Sequence, residues 1–211
     1  MLELDYFEID GAVGGNQDWF SNVVMHIGGC AAAAACDTCI YFAKRFGNVG
    51  WYPFDIRNLN QKDYAAFGQR MKPYIRPRVG GVRKPEWFVE GFLRYLEEHP
   101  DPERADLRME IVRGEEPEEK AREALKSRID WGYPVPFLLL QHQNRELFED
   151  YIWHWFMVIG YEESEEDFLV QTATYGEKKA FSFGELWNTG CEEKGGMILY
   201  ELSGRSKVQR G

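Results

Sequence analysis

Gly28-Gly29-Cys30-Ala31-Ala32-Ala33-Ala34-Ala35-Cys36, continuing as Asp37-Thr38-Cys39-Ile40-Tyr41-Phe42-Ala43, is the stretch on which a reading of the fold turns. Two glycines lead into a cysteine, and the cysteine into five alanines, the strongest helix formers. Cys30 therefore falls in the first turn of a helix, behind flexible backbone. At that position unpaired N–H groups and the positive end of the helix dipole favour a thiolate over a thiol. The glycines clear side-chain bulk from any carbonyl approaching the sulfur. The helix is expected to run to about Phe46, where Gly47-Asn48 offers a left-handed cap. The plain alternative is that Cys30 is a small buried residue, as most free cysteines are.

Bulk properties bound the reading. A chain of 211 residues fits one large domain, or one domain with an insertion. Hydrophobic residues make up 44% and aromatic residues 15%, enough for a sizeable core. The charge balance of 25 basic against 35 acidic residues gives −10, which argues against a nucleic-acid or anionic-membrane surface. Met1-Leu2-Glu3-Leu4-Asp5 has no basic segment followed by an apolar one, so no signal peptide is read there. No apolar run is long enough to span a bilayer. A cytoplasmic protein with reduced thiols is the expectation, so the four cysteines need not pair.

Outward from the cysteine stretch, the chain falls into two halves. Upstream, Leu2 to Phe7 alternates like a short strand, and Asp10 to Asn16 is a glycine-rich loop. Downstream, Gln61 to about Tyr74 is expected as a helix capped by Asn60, and another begins at Pro85 with Phe88, Phe92, Tyr95 and Leu96 on its apolar face. Leu107 to Val112 alternates as a strand, and Pro117 to Trp131 reads as a helix with Ala121, Leu125 and Ile129 on one side. After Gly132 the period changes. Strands are expected over Pro136–Leu140, Tyr151–Tyr161, Asp167–Thr174, Lys179–Phe183 and Met197–Leu202. Pro134 and Pro136 place the start of the first of these at an edge. Ser182 and Glu185 resemble a capping box for one helical turn. Helices followed by antiparallel strands point to α+β.

Among the four histidines, His99 is expected to be exposed and His142 to follow a strand end. His154 differs, because it lies inside the aromatic strand Trp153-His154-Trp155-Phe156-Met157-Val158. Burial there requires that its ring nitrogens find partners. A cysteine at a helix start and a histidine on a distant strand suit nucleophilic catalysis, in which the imidazole takes the thiol proton. The oxyanion then needs donors, and the Cys30 backbone N–H with an amide of Gln17 or Asn16 are the candidates. His26, four residues before Cys30, is an alternative base. Cys36 and Cys39 form a C-x-x-C one helical turn apart, but Cys191 is the only further cysteine and has no close Cys or His, so neither zinc nor another metal is expected. The pair reads as core packing.

Gln17, the Cys30-led helix, Gly132-Tyr133-Pro134-Val135-Pro136 and His154-Trp155-Phe156-Met157-Val158-Ile159-Gly160-Tyr161 together resemble the papain-like cysteine peptidases, closest to the bacterial bacteriocin-processing, double-glycine branch. The resemblance covers roughly residues 14–44 and 117–202. It implies a papain-like α+β fold over residues 1–204, with the nucleophile helix packed against a C-terminal antiparallel sheet. Residues 47–116 are left as a helical insertion or lid, and 205–211 as a frayed tail. It also implies Cys30 as nucleophile, His154 as base and Gln17 as oxyanion donor. Gln17 lies thirteen positions before Cys30, so Asp18 to Gly29 must loop out. The strand that carries the family's third residue reads Leu169-Val170-Gln171-Thr172-Ala173-Thr174 without Asn or Asp, so Thr172 or Gln171 is left to orient the histidine. The expected function is a cysteine peptidase or amidase using a Cys-His dyad on a peptide or protein substrate. No cofactor, nucleic acid or membrane is involved in that reading. The alternatives are a non-catalytic papain-like module that binds a peptide or protein and, more weakly, a C-x-x-C redox protein.

Overall fold

Local punctuation places most of the elements. The computed structural model describes residues 1–78, 80–101 and 106–203. In chain order they form β1 (Leu2–Glu3), β2 (Glu8–Ile9), β3 (Ala12–Val13), α1 (Val23–Gly28), α2 (Cys30–Phe46), α3 (Gln61–Met71) and α4 (Pro85–Glu98). There follow β4 (Leu107–Arg113), α5 (Glu118–Asp130), β5 (Val135–Leu139), α6 (Arg145–Phe148), β6 (His154–Glu163), β7 (Phe168–Thr174), β8 (Glu177–Ser182), α7 (Phe183–Trp187) and β9 (Gly195–Leu202). Helices with an antiparallel sheet make this an α+β protein. No helix among the described residues is long and apolar enough to cross a membrane. The tail from 205 to 211 lies outside the described residues.

The chain divides into two compact units, one of Met1–Asp5, Ala105–Thr172 and Lys179–Gly211, the other of Tyr6–Arg104 and Ala173–Lys178. The second unit is built on α2. That helix opens at Cys30 and closes on Gly47 in the left-handed region, whose N–H bonds the Phe42 carbonyl. Nearly every residue of α2 from Cys30 to Ala43 is buried, so it is a core helix rather than an amphipathic one. Aromatic side chains surround it: Phe42 packs on Trp51, and the Tyr95 hydroxyl donates to the Trp51 carbonyl at 2.9 Å. Asn60 caps α3 by accepting from the Asp63 N–H at 2.9 Å, and Pro85 opens α4. His99, expected exposed, is half-buried: its ring stacks on Tyr95 at 4.4 Å and its Nδ1 lies 3.0 Å from the Tyr95 carbonyl.

The first unit is built on the sheet, with strand order β4-β9-β5-β6-β7-β8 and β1 joined to β6. The stretch 47–116 therefore has two fates. Its helices belong with α2, whereas Leu107–Arg113 pairs antiparallel with Arg113↔Gly196 to Leu107↔Leu202 in register. β5 lies between β9 and β6, but its start is paired on the β6 side alone. Pairing with β9 begins at Phe137↔Met197, one residue past Pro136, so no bond of that ladder requires the missing N–H. The Ser182–Glu185 capping box is corrected. Ser182 precedes α7 but makes no cap bond, and its Oγ donates instead to Asp167 Oδ1 at 2.8 Å. Helix α5 buries Ala121, Leu125 and Ile129, the face its spacing predicts.

Candidate functional site

Cys30 is the first residue of α2 and 5% exposed. Its helix has Gly29 at the N-cap, a residue with no side chain to make a cap bond. Glycine is required there by close approach: a Cβ on Gly29 would lie 2.2 Å from the Met25 carbonyl oxygen. The chain thus turns directly from α1 into α2 without a side chain in the corner. Ser, Thr, Asp or Asn at that position would normally accept from an early N–H of the helix, and glycine does not.

The thirteen-residue interval between Gln17 and Cys30 folds back on itself. Gln17 to Trp19 form a single 3-10 turn, and α1 then returns toward α2. The Gln17 amide nitrogen donates to the His26 carbonyl at 3.1 Å, which ties the side chain to the helix that runs into Cys30. A primary amide nitrogen carries two N–H groups, and this bond uses one. Gln17 Oε1 is enclosed and has no hydrogen-bond partner among the described residues. Such an orphaned buried acceptor costs about 1–3 kcal/mol. Asn16, the other candidate donor, has different partners: its Nδ2 donates one of its two N–H groups to the Tyr175 carbonyl at 3.1 Å, and its Oδ1 accepts from the Asp18 N–H at 2.8 Å. The His26 ring is exposed, with Nδ1 3.2 Å from the Asp18 carbonyl.

The turn that delivers Gln17 is anchored by a residue the sequence did not single out. Asp37, on α2, is 5% exposed. Its carboxylate accepts from the Tyr64 hydroxyl at 2.8 Å, from the Tyr6 hydroxyl at 3.1 Å and from the Gly15 N–H at 3.1 Å. Burial pushes its pKa up to about 6, while these three donors pull the other way. At neutral pH the group is an anion held by three donors. Gly15 admits no side chain, because a Cβ would lie 1.9 Å from the Tyr64 ring.

His154 opens β6 opposite Leu139 and is 5% exposed. Burial pushes its pKa down to about 3, so the imidazole is neutral at physiological pH. It shares a face with Phe156, whose ring centroid is 6.4 Å away, and meets Tyr151 edge-on at 6.3 Å. The residue before it is strained. Trp153 has φ 58, a region bulky side chains rarely enter, and its N–H bonds the Leu140 carbonyl at 3.0 Å. Of the two residues left to orient the imidazole, Thr172 is buried and donates its hydroxyl to the Lys179 carbonyl at 2.9 Å. Gln171 is half-buried, with its amide nitrogen 3.9 Å from the Met1 sulfur.

The remaining histidine and cysteines have structural surroundings. His142 Nε2 lies 2.9 Å from the Glu185 carbonyl, and its Nδ1 accepts from the Asn144 N–H at 2.9 Å, which fixes the proton on Nε2. Cys36 and Cys39 are fully buried, and burial pushes both thiols up. A redox pair needs accessible, easily ionised thiols, and these are the opposite. No family model, no curated protein and no solved structure matches the chain.

Proposed function

We propose that the protein is a cysteine-dependent acyl-transfer enzyme, a peptidase or amidase of papain-like type, acting on a peptide or protein amide. The carrying observation is Cys30 at the start of a helix without a side-chain cap, with the Gln17 amide tied to the helix that leads into it. In this reading His154 takes the thiol proton, and the Cys30 sulfur bonds to the carbonyl carbon as the carbonyl electron pair moves onto oxygen. The Cys30 N–H and the second N–H of Gln17 receive that oxyanion. Collapse expels the amine, which takes the proton from His154, and leaves a thioester. Water gives a proton to His154 and attacks the thioester, releasing the acid and restoring the thiol. Burial keeps the imidazole neutral before reaction, but a group held near 3 is a weaker base than one near neutrality, so the proton transfer to His154 is the step of this reading that the labelling test addresses most directly.

The test is alkylation by iodoacetamide at pH 7 with the label located by mass spectrometry. Access alone favours Cys191, which is half-buried, over Cys30 at 5% exposure. The reading expects the reverse order, with Cys30 labelling slowed at least tenfold in His154→Ala. Faster labelling of Cys191, or no effect of the substitution, would sink it. The second reading, a binding module that does no chemistry, is favoured by Thr172, whose hydroxyl is engaged by Lys179. It expects slow Cys30 labelling at every pH, together with peptide binding that survives Cys30→Ala.

A further inference from the structure

From Arg70 to Lys84 the chain carries Arg70, Lys72, Arg76, Arg78, Arg83 and Lys84 and no acidic residue, although the net charge of the whole is −10. Part of this segment and α4 enclose an open pocket of about 270 Å³ lined by Tyr74, Arg76, Arg78, Trp87, Glu90 and Arg94. The three guanidinium groups are held by contacts that leave their charge uncompensated. Arg78 lies over the Trp87 ring at 3.8 Å, and Arg94 over the Tyr74 ring at 5.2 Å. Arg94 Nη2 and Arg76 Nε both donate to the Pro73 carbonyl, at 2.8 and 3.3 Å. Among the described residues none of the three forms an ion pair with a carboxylate. Three like charges brought together without a counter-ion repel one another, and stacked or carbonyl-anchored guanidiniums keep further N–H donors for a ligand.

We infer that this pocket binds a dianionic phosphate group, free or as the monoester of a small molecule. Three guanidinium charges against the one carboxylate of Glu90 leave two positive charges in the lining. A phosphate monoester carries about −1.5 to −2 at neutral pH and offers three acceptor oxygens. Arginine forks match that tetrahedral group through charge-assisted hydrogen bonds. The concave shape and the carboxylate inside it favour a small ligand over a nucleic-acid strand, which the charge of the whole chain would also repel. The site lies on residues that take no part in the proposed thiol chemistry.

Isothermal titration of the full chain at low salt tests this with inorganic phosphate, glycerol 3-phosphate and AMP as ligands. Malonate and a short DNA strand serve as competitors in kind. Saturable one-site binding of a phosphate is expected, tighter than malonate. Arg76→Gln with Arg78→Gln together should weaken it at least tenfold, the loss of charge-assisted bonds. Glu90→Gln should tighten it severalfold by removing the opposing charge, and this exposed substitution carries the test if the double variant fails to fold. Comparing free phosphate with the two esters tells which form the pocket prefers, and either result supports the inference. Absence of saturable binding, malonate binding as tightly, DNA binding more tightly than every monophosphate, or an unchanged affinity in Glu90→Gln would overturn it.

Discussion

Replacing Asp37 with asparagine exchanges one carboxylate oxygen for an amide nitrogen in an enclosed site. The consequence depends on pH in a direction the structure fixes. Burial raises the Asp37 carboxyl from 3.8 to about 6, against the lowering pull of Tyr64, Gly15 and Tyr6. The folded value lies above the unfolded one, so the folded chain holds the proton more tightly. That contribution to stability is complete below about pH 4 and is lost as pH rises through about 6. The difference is worth about 2–3 kcal/mol between pH 4 and pH 7.5. Asparagine does not titrate there, and the other ionisable groups cancel when the two proteins are compared. The cost of Asp37→Asn is therefore expected to be largest at pH 4 and to fall by about 2–3 kcal/mol by pH 7.5. Urea unfolding followed by tryptophan fluorescence, run on both proteins at each pH, measures it; the chain has seven Trp to report. A cost independent of pH would refute the burial of an ionisable group. A cost that rises with pH would mean that the three donors outweigh desolvation.

Four further outcomes follow from the packing. Gly15→Ala puts a Cβ 1.9 Å from the Tyr64 ring and should lower stability by about 3 kcal/mol or more in the same assay. Gly11→Ala, at φ 86 with nothing within 4 Å of the added carbon, should cost only about 1 kcal/mol. Asn60→Ala removes the side-chain acceptor for the Asp63 N–H and should cost about 1 kcal/mol of thermal stability. Cys36 and Cys39 should stay unreactive toward a chromogenic disulfide reagent in the native protein, and all four cysteines should react in urea.

What the sequence makes legible is what short-range chemistry decides. The bounds of α2 follow from Gly29 and Gly47, the start of α3 from Asn60 and the start of α4 from Pro85. Each signal lies within a few residues of the element it marks. Asp37 was not legible. In sequence it is a polar interruption of an alanine and cysteine run. Its burial depends on Tyr64, 27 positions away, and on Gly15, 22 positions away. Pro136 speaks only for the start of β5, which β9 leaves unpaired. A proline argues for an edge only if a neighbouring strand needs its N–H, and β9 begins to pair one residue later. The basic stretch from Arg70 to Lys84 was hidden by summation, since net charge averages away a local excess. The left-handed Trp153 had no signal, because no residue in that position announces φ > 0 as glycine or asparagine does.

The candidate site gains coherence from one helix serving two ends of the same loop. α2 presents Cys30 at its start and Asp37 two turns later. Asp37 fixes the Gly15 N–H, and the chain from Gly15 reaches Gln17 two residues on, whose amide returns to the His26 carbonyl just ahead of Cys30. The loop is thus held at one end by a buried charge and at the other by a hydrogen bond to α1. A buried carboxylate is an expensive way to stabilise a helix that alanine and aromatic packing already support. Its three donors come from the start of the second unit, from the glycine turn and from α3, so its effect is to hold three segments in register around the first turns of α2. A structural core would achieve the same stability with an apolar residue at position 37. In the proposed reaction the charge has a purpose that packing alone does not give it, because it anchors the loop whose Gln17 amide bonds the His26 carbonyl, four residues before Cys30.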